Sequence, residues 1–156
     1  MIKVLHFSDL HIHENYDQNK VLDRFIQDIE NTKFDLVICS GDIVAKGSYG
    51  NKGSVINFFE KIKEVLGADI PIIICPGNHD INLTSRKPIY NSIFNINTVE
   101  EANNLFDTIN GDEDPSLSAH LRDYSNLVKS ITGKDLENKL FFSEILPIDN
   151  KIICIA

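Results

Sequence analysis

The chain has 156 residues, 42% of them hydrophobic and 24% charged, with a formal net charge of −8; this fits one soluble globular domain with its own core. No apolar run is long enough to cross a bilayer, and Met1-Ile2-Lys3 leads straight into a strand pattern without a signal-peptide core, so the expected location is cytoplasmic. The acidic balance argues against a dedicated nucleic-acid surface, which needs clustered Lys and Arg, although divalent cations held by some of those acids would reverse the local sign.

From the N-terminus, the apolar run Ile2 to Phe7 reads as a strand buried on both faces, and it leads into Asp9-Leu10-His11. Within that run His6 is expected in the core, whereas His13 is expected in an exposed loop. Asp17 then caps a helix in which Val21, Leu22, Phe25, Ile26 and Ile29 form one apolar stripe. A second strand, Leu36 to Cys39, leads into Gly41-Asp42, and a flexible loop over Gly47 to Gly53 follows. Ser54 caps the next helix, with Val55, Phe58, Phe59, Ile62 and Leu66 inward, and Gly67 ends it. The third strand, Ile70 to Cys75, leads into Gly77-Asn78-His79-Asp80. This βαβαβ alternation predicts a parallel sheet with helices on its faces.

Beyond Asp80 a polar stretch runs to about Asn97. Thr98 and Glu101 then form a capping box before Val99, Ala102, Leu105, Phe106 and Ile109. Gly111 to Pro115 breaks that helix, and another begins near Ser116, carrying Leu117, Leu121, Tyr124, Val128 and Ile131 inward until Gly133. Residues 84–134 are expected to form a helical insertion or cap over or beside the strand ends. The last segment, Leu140 to Ile148 and Lys151 to Ala156, predicts a hairpin turned at Asp149-Asn150, with Pro147 marking its first arm as an edge strand. Cys39, Cys75 and Cys154 lie in apolar runs without metal or disulfide spacing and read as small buried hydrophobes.

Three consecutive strand ends bring two carboxylates, two imidazoles and a carboxamide to the edge where open α/β sheets collect ligands. Asp9 and His11, two residues apart, project to one side and can grip an ion. Asp42 can offer its two oxygens to two ions about 3.5–4 Å apart, the separation of two-metal hydrolytic sites. Asn78 adds a neutral oxygen for the second ion. His79 is left to protonate a leaving group or to contact an anionic substrate, and Asp80 is placed to hold its imidazole. Gly41 and Gly77 precede the ligands where the backbone turns sharply and a Cβ would obstruct it.

In order and spacing these residues resemble the calcineurin-like metallophosphoesterase family, whose signature runs Asp-Xaa-His, Gly-Asp and Gly-Asn-His-Asp/Glu at strand ends; the match covers residues 1 to about 82. The resemblance implies an α/β fold, here the βαβαβ N-terminal half of the layered metallophosphoesterase sandwich with a helical insertion. It also implies a cofactor of two divalent ions drawn from manganese, iron and zinc. Asp9 and His11 would hold the first ion, Asp42 would bridge, and Asn78 would hold the second. His79, supported by Asp80, would be the catalytic histidine, while a metal-bridging hydroxide attacks the phosphorus of a phosphodiester or phosphomonoester substrate. Gly41 to Gly47, with no acid close after Asp42, looks more like the cyclic-nucleotide phosphodiesterase branch than the double-strand-break repair nucleases.

The family completes its site with later histidines, including a Gly-His-Xaa-His block, whereas the histidine after Asp80 here is His120, expected on a helix surface. With the sequence ending in mid-strand, the expectation is a single metallophosphoesterase domain over residues 1–156, truncated at its C-terminus and impaired for want of those ligands. The alternatives are a DNA-processing nuclease and a non-catalytic scaffold of the same fold.

Overall fold

A computed structural model describes residues 1–13, 16–45, 49–82, 85–111, 114–136, 144–148 and 151–155. Its centre is a parallel sheet in the order β1 (Val4–Phe7), β2 (Leu36–Cys39) and β3 (Ile72–Ile74), with Leu5 opposite Val37 and Val37 opposite Ile72. Parallel neighbours need long crossovers, and these contain α1 (Tyr16–Ile29) and α2 (Lys52–Leu66). On one sheet face Leu5, Val37, Cys39, Ile72 and Ile74 pack with Ile29 of α1 and with Val55, Phe58, Phe59 and Ile62 of α2. Phe7 sits among Phe25, Phe58 and Phe59, with ring centroids 5.4 to 6.1 Å away. Full burial of each such side chain stabilises the fold by roughly 1.5–3 kcal/mol.

On the other sheet face Leu36 and Ile73 meet Leu146. Leu146 belongs to β4 (Glu144–Ile148), which pairs antiparallel with β5 (Lys151–Ile155) in a separate two-stranded sheet. Thus β2 and β3 are covered on both faces, and β1 is not. Val4 and His6 are exposed on it, and His6 Nε2 lies 2.8 Å from Ser40 Oγ. The expected core placement of His6 is therefore corrected: an outer strand of this sheet leaves one face to solvent. His13 is exposed, as expected.

The helices begin earlier than their expected caps. Asp17 falls inside the first turn of α1, and α2 starts at Lys52 after Asn51, so Ser54 also falls inside the first turn. Val21 is 67% exposed because Leu22, Phe25, Ile26 and Ile29 suffice to cover the sheet. The stretch expected to be merely polar contains α3 (Lys87–Phe94), with Pro88 in its first turn, a position where a missing N–H costs nothing. The capping box at Thr98 and Glu101 opens α4 (Val99–Asn110) as expected. The following helix is broken into α5 (Pro115–Ser118), a 3-10 turn over Ala119–Leu121 and α6 (Arg122–Thr132), with left-handed Gly133 closing it.

The segment 84–134 divides by packing. Tyr124, Leu127, Val128 and Ile131 of α6 join the main core, whereas Ile89, Leu105 and Ile109 make a small cluster between α3 and α4. The hairpin's expected turn at Asp149-Asn150, part of the Gly47–Gly53 loop and the side chains of Leu117 and Cys154 lie outside the described residues.

Candidate metal centre

Beyond the strands, the first two loops stay zipped together. Asp9 N donates to Gly41 O at 3.1 Å, His11 N to Asp42 O at 2.9 Å and Ile12 N to Ile43 O at 2.8 Å. This extends the β1–β2 pairing to a bridge between Ile12 and Val44. Within the zipped loops, Asp9, His11 and Asp42 have φ of 58°, 43° and 55°. Left-handed backbone at three non-glycine residues costs each roughly 1–3 kcal/mol and concentrates at functional sites. Strand alternation was the expected reason for Asp9 and His11 to share a side; the left-handed turns are the actual one.

One ligand atom from each of Asp9, His11 and Asp42 lies within 4.8 Å of the other two. Asp9 is exposed and the other two are half-buried, so the group opens to solvent. Two carboxylates and an imidazole are an oxygen and nitrogen donor set suited to manganese, iron or zinc. Asp9 Oδ2 accepts from the Ser8 hydroxyl at 2.5 Å, and Asp9 Oδ1 stands 3.9 Å from His11 Nε2. The donors fit a divalent cation, whose charge would offset that of the two carboxylates.

The third loop is clamped onto this pair. A Cβ on Gly41, which has φ of 100°, would fall on the backbone of Gly77, and a Cβ on Gly77 would fall on Asp42. Glycine is thus required at both positions by the approach of one loop to the next. Asn78, His79 and Asp80 form a single 3-10 turn. Its His79 N–H donates to Asp42 Oδ1 at 2.9 Å, and the His79 ring meets the His11 ring edge-on with centroids 4.8 Å apart. The turn therefore brings His79 to the triad. Asn78, at its start, is exposed and also lines an adjoining cavity.

Asp80, expected to hold the His79 imidazole, is fully buried and has a task that expectation did not contain. Its Oδ1 accepts from Ile43 N at 2.9 Å and Val44 N at 3.0 Å, and its Oδ2 from Gly77 N at 2.9 Å. Burial raises its pKa, and the backbone N–H bonds pull the other way. One carboxylate thereby ties the second loop to the third. Tyr49, which sequence reasoning passed over as part of a loop, donates its hydroxyl to Asp80 O at 2.6 Å. A lone aromatic among Ser48, Gly50 and Asn51 was the available signal. His120 is likewise corrected: it is buried, and its carbonyl accepts from Asn82 N at 3.1 Å. It lines the same cavity as Asn78.

The calcineurin-like phosphoesterase family matches residues 2–154, and the chain belongs to it. Membership places it among metal-dependent hydrolases of phosphate esters and agrees with the mixed α/β architecture described above. Comparison with curated proteins gives no match. Among the described residues no helix is long and apolar enough to cross a membrane.

Proposed function

We propose that the chain acts as a phosphodiesterase on small diesters, on the cyclic-nucleotide side of its family, through two divalent ions held at the strand ends. Asp9, His11 and Asp42 would hold one ion, and Asp42 with Asn78 would offer oxygens to the other. The observation that carries this reading is the convergence of Asp9, His11 and Asp42 with the His79 ring edge-on beside them. When bound, the ions supply positive charge against the phosphate oxygens and activate water for attack on phosphorus. The chain's own part is positional. Asp42 is steadied by the His79 N–H, and His79 is carried by a turn that Asp80 anchors, so its imidazole is available to protonate the departing alkoxide. Preference for small diesters over DNA ends is supported by the net charge of −8 and by the stretch after Asp42, which lacks a nearby acid. Residues 85–111, which carry α3 and α4, serve as a cap beside this edge.

The test is turnover with added manganese on bis-p-nitrophenyl phosphate, cyclic AMP and DNA ends. Hydrolysis of the small diesters is expected, and activity confined to DNA ends would overturn the preference. No hydrolysis of any ester, with the metal bound, would favour the scaffold alternative. On cyclic AMP, where an alkoxide must leave, His79→Ala is expected to leave metal content nearly intact and to cut turnover by about 10²-fold or more, as for loss of a general acid. Unchanged turnover would remove His79 from that role.

A further inference from the structure

Beside the strand-end cluster a cavity of about 450 Å³ opens between α3 and α4. Small-molecule sites span roughly 300–1,000 Å³, so it has the size of a ligand pocket. Ile89 and Ile93 of α3 and Leu105, Phe106 and Ile109 of α4 make its walls. The side chains are those of two amphipathic helices whose apolar faces are only partly satisfied by each other: Ile93 is 54% exposed, Tyr90 48% and Phe106 40%. Such a concentration of exposed large hydrophobics marks a binding surface more often than an accident of composition.

Two features say what it binds. Asn78 lines the cavity and begins the turn that carries His79, so pocket and strand-end cluster share a wall. Arg86, also lining it, holds its guanidinium carbon 5.0 Å from the Tyr90 ring centroid, placing a cation beside the apolar walls. An apolar slot with one edge on the strand-end cluster and a cation on its wall is complementary to an apolar group carried on an anionic phosphate ester. We infer that this cavity receives the aromatic or aliphatic ester group of the substrate and so selects apolar small diesters over polar ones. This rests on the phosphodiesterase reading above and narrows it.

The inference is tested by binding and by turnover. First, 2-naphthol is titrated into the chain without metal and followed by its fluorescence. Saturable binding is expected, weakened at least about tenfold by Ile93→Asp, which sets a charge on the apolar wall at a position already half in solvent. Phe106→Ser serves as a second variant, and circular dichroism checks that both fold. Absent or variant-insensitive binding would overturn the pocket. Loss of binding as protein concentration rises would place a second copy of the chain on this face and would also overturn it.

Second, with manganese present, p-nitrophenyl diesters carrying methyl or 2-naphthylmethyl as the other group are compared, so that the leaving group is the same. The naphthylmethyl ester should have the higher kcat/KM by about tenfold or more, and Ile93→Asp should remove that advantage. Equal efficiency on both esters would leave the phosphodiesterase reading standing and overturn the pocket's role. Naphthol binding without hydrolysis of either ester would overturn the phosphodiesterase reading, and the substrate role with it.

Discussion

His11 illustrates how a single residue bears the tension between folding and chemistry. Its φ of 43° is left-handed, a conformation uncommon outside glycine in which histidine, asparagine and aspartate are the enriched residues. Replacement by asparagine therefore keeps a residue suited to that backbone while removing the ring that stands beside Asp9 and His79. His11→Asn is expected to change stability in urea unfolding by no more than about 1 kcal/mol and to weaken divalent-metal binding, titrated with manganese, at least about tenfold. Both readouts come from one preparation, unfolding for the first and calorimetric titration for the second. A destabilisation well beyond about 1 kcal/mol would mean that the ring's contacts hold this turn in place. None of this conformational detail was legible in the sequence. Asp9-Leu10-His11 after an apolar run reads as strand continuation, and only the pairing of two loops across the sheet edge forces the left-handed turns.

At the scale of elements, the helix boundaries show which local signals are decisive. The capping box at Thr98 fixes the start of α4 because Thr98 Oγ1 accepts from Glu101 N at 3.2 Å while Glu101 Oε2 accepts from Thr98 N at 3.0 Å. Thr98→Ala should cost about 1 kcal/mol in urea unfolding and speed amide exchange in the first turn of α4. Acid should fray the same turn. The N–H groups of Asn97 and Thr98 hold the Glu101 pKa below the ordinary carboxylate range, so its contribution is complete above the unfolded pKa and is lost as pH falls through the lower folded one. Exchange in that turn that is insensitive to both changes would mean that packing against α3, not the cap, sets the helix end. Where such reciprocal signals were missing, the boundaries moved. Asp17 and Ser54 are good caps in isolation, yet α1 starts one residue and α2 two residues before them, so a single capping residue without a reciprocal partner does not fix a helix start. Helix α3 went unseen because its Ile89 and Ile93 are too few to establish a period against the surrounding polar residues.

At the scale of the whole molecule, the parallel sheet and the gathering of Asp9, His11, Asp42 and His79 were legible because buried β-branched runs and strand-end motifs are local patterns. What joins the strand ends to one another was not, since hydrogen bonds between loops 36 and 37 residues apart leave no periodic trace. Asp80 is the clearest case. Its side chain is sealed from solvent, and it accepts from Ile43 and Val44 of the second loop and from Gly77 of the third. Asp80→Ala would leave three N–H groups without that acceptor, each an unmet buried or part-buried donor worth roughly 1–3 kcal/mol. The expected loss is at least about 3 kcal/mol in urea unfolding. Asp80→Asn keeps a carbonyl oxygen for Ile43 and Val44 but turns an NH₂ group toward the Gly77 N–H, so it should cost less than alanine and act mainly on the third loop. The distinguishing readout is the 3-10 turn itself. In Asp80→Asn the His79 imidazole resonances, followed by NMR under native conditions, should broaden or shift while those of His6, on the open face of β1, stay in place. Unchanged His79 resonances together with unaltered stability would show that the glycine-to-glycine packing of Gly41 and Gly77 holds the third loop without the carboxylate.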